Sequence, residues 1–316
     1  MKQALHGLYE EDKIKLISHN EKHFVTLTRY YYSEKSVGDK IKYLVEKSPP
    51  LSFDVNTIYD QLRKESTTDT IALNEDQQRG IISCLTNKVS IITGGPGTGK
   101  TTLIKKLLSI LEQQHATYKL AAPTGRAAKR IIEGTGKHAL TLHRLLEFDV
   151  SNMQFARNEQ HTLQLDFLII DEASMIDIFL ANAILRAVPF KAHVIFIGDV
   201  DQLPAVGAGN FLNDLIQSKI AACVQLTEIF RQAQNSLIIV NAHRINKGEF
   251  PVFSLPEAKK DFFWIREEKP EMVQQHLASL FKKTLKQHHI KANNTMVLVP
   301  MNRGLVGTQN INHNLQ

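Results

Sequence analysis

The nine residues Gly94-Gly95-Pro96-Gly97-Thr98-Gly99-Lys100-Thr101-Thr102 constrain the fold of this chain more than any other stretch. They follow the apolar run Ser90 to Thr93 and precede a helical pattern from Leu103 to Gln113, so a buried strand must turn sharply and open a helix. The glycines let several backbone N–H groups converge with no Cβ in the way, and a helix start adds its partial positive charge. A turn with these properties is built to cradle phosphate groups. Gly94 to Thr102 are therefore expected to bind ATP, with Lys100 as the point charge on the terminal phosphates and the Thr101 hydroxyl as a ligand of Mg2+. A glycine-rich turn without a ligand is the alternative, and the flanking strand and helix argue against it.

A phosphate loop needs a carboxylate at the end of a nearby strand. Phe167-Leu168-Ile169-Ile170 delivers Asp171-Glu172, with Asp171 expected to hold the metal and Glu172 to orient or deprotonate an attacking water. The same acids also suit the start of a helix, and the two roles are compatible. A further apolar run, Val194 to Ile197, leads to Gly198-Asp199 and then Gln202, whose amide can both donate and accept at a γ-phosphate. By itself Gly-Asp after a strand is a turn; its place downstream of the acidic pair makes Gln202 a candidate catalytic sensor.

The apolar runs at Val89 to Thr93, Lys119 to Ala122, Phe167 to Ile170 and Val194 to Ile197 alternate with helical patterns, which predicts a doubly wound α/β fold with a parallel sheet. Met1 to about Ser66 reads as short helices with polar joints, closing on the polar run Lys64 to Thr70. Beyond Gly248, strand-like Phe262 to Ile265, a helix carrying Met272, Val273, Leu277, Leu280, Phe281 and Leu285, and strand-like Met296 to Val299 read as one βαβ piece. With 316 residues, 43% of them hydrophobic, the chain is long enough for two or three domains. No run approaches the ~18 apolar residues of a membrane span, and Met1 to Asp12 lacks an apolar signal core. Cytoplasm is the expected compartment. Cys84 and Cys223 lack the spacing of a zinc site or disulfide framework and read as core thiols. The net charge of +6 is compatible with a polyanionic partner and decides nothing alone.

Seven segments, taken in order, resemble the motifs of superfamily 1 DNA helicases of the RecD type: Leu73 to Gln77, the phosphate loop, Ala122 to Ala128, Thr141 to Leu146, Asp171 to Met175, Gly198 to Pro204, and Glu228-Ile229-Phe230-Arg231-Gln232. Val297 to Thr308 resembles the opening of that family's second motor domain, and Val25 to Glu34 is similar to the N-terminal domain of the alpha subunit of exodeoxyribonuclease V. The resemblance implies a RecA-like P-loop domain over residues 67–247, preceded by a helical accessory domain over 1–66. It implies the start of a second, incomplete RecA-like domain over 248–316.

By the same resemblance Gln77 reads the adenine edge and Arg231 reaches the γ-phosphate and stabilises charge in the transition state. Pro123 to Arg126 and Thr141 to Arg144 touch the phosphates of single-stranded DNA. Residues Glu147 to Leu165 hold a small strand-separating hairpin, for which a plain surface hairpin is the alternative. The implied activity is ATP-dependent DNA unwinding in double-strand break repair and recombination, alongside RecB-like and RecC-like subunits. Family members continue past Gln316, so unwinding by this chain alone is not expected. Two rival readings use the same residues. One is a non-catalytic or truncated nucleotide-binding subunit, which would co-purify with partners without turnover. The other is an unrelated phosphate-loop enzyme such as a kinase, which would show no salt-dependent DNA binding.

Overall fold

The computed structural model describes residues 2–19, 21–47, 49–68, 73–228, 236–254 and 261–315. The chain forms two compact units, one spanning Met1–Val252 and the other built on Lys260–Gln316. The first unit opens with α1 (Lys2–Glu10), the antiparallel hairpin of β1 (Ile14–His19) and β2 (Lys22–Leu27), α2 (Thr28–Lys47) and α3 (Val55–Thr68). It continues through α4 (Glu75–Thr86), β3 (Val89–Gly94), α5 (Lys100–Gln113), β4 (Tyr118–Ala122), α6 (Gly125–Thr135), β5 (Ala139–Thr141) and α7 (Leu142–Leu145). After the short β6 (Phe148–Asp149) and β7 (Gln154–Phe155) come β8 (Phe167–Ile170), α8 (Ile178–Ala187), β9 (His193–Gly198), α9 (Phe211–Ser218), β10 (Ala222–Leu226) and α10 (Leu237–Asn246).

Six strands form one parallel sheet in the order β10-β3-β9-β8-β4-β5. Strands β3, β8 and β9 are buried along their whole length, which is why they read as continuous apolar runs rather than alternating ones. Successive residues still point to opposite faces. Val89, Ile91, Val194 and Phe196 enter the layer shared with Ile184 and Leu185 of α8, whereas Ile92, Ile195 and Ile197 meet Leu103, Leu107 and Leu111 of α5. Each fully buried aliphatic side chain contributes roughly 1.5–3 kcal/mol, so the two layers carry most of the fold's stability.

The N-terminal segment departs from the all-helical expectation in carrying the β1–β2 hairpin between its first two helices. Val37, Ile41 and Leu44 of α2 recur at three- and four-residue spacing and join the α8 side of the core. Tyr30 meets Phe179 of α8 with ring centroids 5.1 Å apart, and the Arg29 guanidinium lies 4.9 Å from the Tyr30 centroid. Tyr30, with Arg29 over its ring, therefore packs on α8. Cys84 is buried as expected, but Cys223 on the edge strand β10 is exposed, because an edge strand keeps one side unpaired and partly uncovered.

In the second unit, α11 (Pro270–Ser279) starts with Pro270 in its first turn and passes through a π-helical turn, Leu280–Thr284, to Leu285–Gln287. A last helix, α12 (Thr308–Leu315), buries Ile311. Phe262 to Ile265 and Met296 to Val299 are irregular rather than strands. Neither has a ladder partner among the described residues, and a strand without one leaves its backbone groups unpaired. Trp264 is 64% exposed, and Phe253 lies beside it with centroids 6.4 Å apart. Among the described residues no helix is long and apolar enough to cross a membrane.

His193 begins β9 with no solvent exposure. The Leu51 N–H donates to its Nε2 at 3.0 Å, so Nε2 is unprotonated and Nδ1–H donates to the Asn87 carbonyl at 2.9 Å. Its ring stacks on Phe167 at 4.5 Å. Burial first, and the Lys88 charge second, lower its pKa from 6.5 to about 4. A depressed value means that the native state keeps His193 neutral while the unfolded chain takes up the proton. The stabilisation is present above 6.5 and is lost as pH falls from there towards 4. Replacing His193 by Gln should flatten the loss of unfolding free energy in that window. Denaturant titrations at stepped pH check this, and identical profiles for the two proteins would contradict it.

Candidate functional site

All six strands run the same way, so their carboxyl ends share one edge, where an open α/β sheet binds its ligands. The adjacent strands β3, β9 and β8 deliver the phosphate loop, Asp199 and the Asp171-Glu172 pair to that edge. The turns after β8 and β9 are in close contact. A Cβ built on Gly198 would lie 3.3 Å and 3.2 Å from the backbone nitrogens of Ala173 and Ser174, and 2.7 Å from Leu212.

The loop between β3 and α5 takes its shape from Gly97 and Gly99, with φ of 78° and 82°. A side chain in this left-handed region costs about 1–2 kcal/mol, which is why glycine stands at both positions. Gly99 is the N-cap of α5 and offers no side chain to its first amides. Neighbouring helices differ: Asn74, Thr124 and Asp177 each cap their helix with a side-chain oxygen. The first turn of α5 thus keeps its N–H groups for an anion. Lys100 Nζ donates to the carbonyls of Gly94 and, at 3.1 Å, Gly95, while Thr98 Oγ1 donates to Gly95 O at 2.9 Å.

Gln77 has no exposed surface, and its amide is in use. Its Oε1 accepts from the Asn74 N–H at 3.1 Å, closing a reciprocal cap on α4, and its Nε2 donates to Gly99 O at 3.2 Å. Here Gln77 ties α4 to the end of the phosphate loop; the adenine-reading role expected for it requires these bonds to be exchanged. Gln77→Ala should cost about 1–2 kcal/mol of unfolding free energy, measurable by denaturant titration. No loss of stability would contradict the anchoring role.

Burial pushes the Asp171 carboxyl above its usual range; neighbouring Glu172 adds to this, and the Lys100 and Arg130 charges oppose it. The Glu172 N–H donates to Asp171 Oδ1 at 2.9 Å. Glu172 itself sits in the left-handed region at φ 55°, a conformation that costs a non-glycine residue energy, and its carboxylate lies 3.7 Å from Arg130 of α6. Asp199 is buried and accepts from the Asp201 N–H at 3.1 Å; exposed Gln202 donates its N–H to the Asp199 carbonyl at 3.2 Å. The oxygen donors of Thr101 and Asp171 are of the hard kind that suits a small divalent cation, and Asp171 is a buried carboxylate with a cost to stay charged. Arg231 lies outside the described residues.

Along the same edge Thr124 caps α6 through the Ala127 N–H at 3.2 Å, and Thr141 caps α7 through the Arg144 N–H at 3.3 Å. His143 packs on Phe148 and Phe155, which hold the β6–β7 hairpin together. Val150 and Met153 at its tip are 75% and 71% exposed. Two contacts had no signal in the sequence: Arg130 with Glu172, and His243 against Gly95. Both join residues distant in the chain, with no motif spacing to announce them.

This sheet, with a phosphate loop at the edge it shares with an acidic pair, defines a P-loop NTPase domain of the RecA-like kind. The AAA domain family profile matches residues 77–208. An ATP-dependent RecD2 DNA helicase of Deinococcus radiodurans is 34% identical over 77% of this chain and 32% of that protein. A RecBCD enzyme subunit RecD of Mycolicibacterium smegmatis is 30% identical over 79% of this chain and 48% of that protein. The solved Pif1 helicase of Candida albicans is 27% identical over 52% of this chain and 41% of that one, with a TM-score of 0.39. Over the matched region the chain is similar to RecD-type DNA helicases, and it spans about a third to a half of the length of the curated relatives it matches.

Asp171→Asn removes a carboxylate whose raised pKa makes its charged form unfavourable, and that cost grows as pH rises through its pKa. The variant is expected to melt at a higher temperature than the parent at neutral pH. A lower melting point would contradict the burial argument.

Proposed function

We propose that this chain is the nucleotide-hydrolysing part of a RecD-type helicase, using ATP and Mg2+ to drive movement on single-stranded DNA. The observation that carries the reading is the shared sheet edge, where an uncapped α5, the Lys100 ammonium and the buried Asp171 converge. Gly94 to Thr102 hold the phosphates, with Lys100 turning from the Gly94 and Gly95 carbonyls to the terminal ones. Thr101 and Asp171 would hold the Mg2+, which when bound neutralises charge on the β- and γ-phosphates. Glu172 orients the attacking water, Gln202 senses the γ-phosphate, and Arg231 stabilises charge in the transition state. In this reading residues 1–66 are an accessory domain, 67–247 the motor domain, and 248–316 the beginning of a second RecA-like domain.

Single-stranded DNA lies across the Pro123 to Arg126 and Thr141 to Arg144 turns, which contact phosphates and read no sequence. In this reading the β6–β7 hairpin, whose tip exposes Val150 and Met153, acts as a wedge that separates strands. Unwinding in double-strand break repair and recombination, RecB-like and RecC-like partner subunits and a cytoplasmic location complete the proposal. They are drawn from relatives two to three times longer than the matched region.

ATP hydrolysis with and without single-stranded DNA tests the reading. The parent should be stimulated by DNA, with DNA affinity falling steeply as salt rises, and Lys100→Ala should be inactive. Turnover that ignores DNA and survives Lys100→Ala would overturn it. ATP binding without any turnover favours the non-catalytic nucleotide-binding subunit.

A further inference from the structure

The helix α10 is fastened at both ends. Ser236 caps its start, accepting from the Ile239 N–H at 3.4 Å, and buried Asn241 exchanges two 2.8 Å bonds with the backbone of Val252. Arg244 donates to the Phe250 carbonyl at 2.8 Å and pairs with Glu249 at 3.0 Å. Between Asn241 and Arg244, His243 is pressed onto the phosphate loop. A Cβ built on Gly95 would come within 2.7 Å of His243 Cε1, 3.5 Å of Nε2 and 3.6 Å of Nδ1. His243 Nε2 is buried with no hydrogen-bond partner among the described residues. A buried polar group left unpaired costs free energy and calls for an explanation.

Lys100 supplies one. Gly95 O accepts from both Lys100 Nζ and Thr98 Oγ1. A nucleoside triphosphate draws Lys100 away to its phosphates and frees one lone pair of that carbonyl. We propose that His243 is a positioning residue of the nucleotide site, whose Nε2–H takes over the Gly95 carbonyl when Lys100 leaves it for a bound triphosphate. The exchange keeps both acceptor positions of the Gly95 carbonyl in use and ties α10 to the loop. Because α10 is the last described helix of the first unit, nucleotide occupancy is registered where the chain departs towards the second. The inference rests on the nucleotide reading given above.

The test is titration of the full chain with a fluorescent ATP analogue, together with melting with and without it. His243→Ala should bind about five-fold more weakly, the worth of one ordinary hydrogen bond. His243→Gln, which restores a donor, should recover most of that loss. The melting temperature of nucleotide-free His243→Ala should hold or rise, while its analogue-induced increase shrinks. Gly95→Ala should bind poorly in the parent and better in the His243→Ala background, because Gly95 does not need a positive φ and His243 is what its Cβ meets. If His243→Ala does not fold, His243→Phe keeps the ring without the donor and must show the same weakened binding. Parent-like binding by the donorless variant, or a lower nucleotide-free melting point with an intact analogue-induced increase, overturns the inference alone. A parent that binds no analogue overturns the nucleotide reading, and the inference with it.

Discussion

A strand buried on both faces and hydrogen-bonded on both edges has one place to be polar, which is its end. β3 is such a strand, held between β10 and β9 and covered by α5 on one face and the α8 layer on the other. Because the sheet is parallel, its neighbours obey the same constraint and release their polar residues at the same edge. The phosphate loop, Asp171, Glu172 and Asp199 are brought together by that geometry before any ligand is considered.

The edge carries local costs. α5 starts on a glycine with no cap, Glu172 adopts a left-handed backbone, and Asp171 is buried where its charge is disfavoured. Lys100 meanwhile rests on the loop's own carbonyls. An anion would offset the uncapped start of α5, and a cation the buried charge of Asp171. Stability comes from the two apolar layers, and the edge spends part of it.

The central strands were readable because double burial writes them as unbroken apolar runs: β8 occupies the expected Phe167 to Ile170, and β9 extends Val194 to Ile197 by one residue at each end. The phosphate loop was readable because its backbone admits few residues. Other parts depended on partners that local pattern cannot reveal. The β1–β2 hairpin lies in a stretch with a mixed pattern, and Cys223 is apolar yet sits on an uncovered edge. Phe262 to Ile265 has strand-forming residues but no strand beside it among those described. Gln77 was expected to read an adenine edge, and its bonds to Asn74 and Gly99 emerge only when α4 meets the loop. His243 against Gly95 is a contact of the same kind.

The most direct measurement of the central claim is calorimetric titration of the chain with a non-hydrolysable ATP analogue, with and without Mg2+. Convergence of the loop, Lys100 and Asp171 on one edge predicts a single site per chain whose affinity rises when Mg2+ is present. Absence of binding, or binding indifferent to Mg2+, would contradict it.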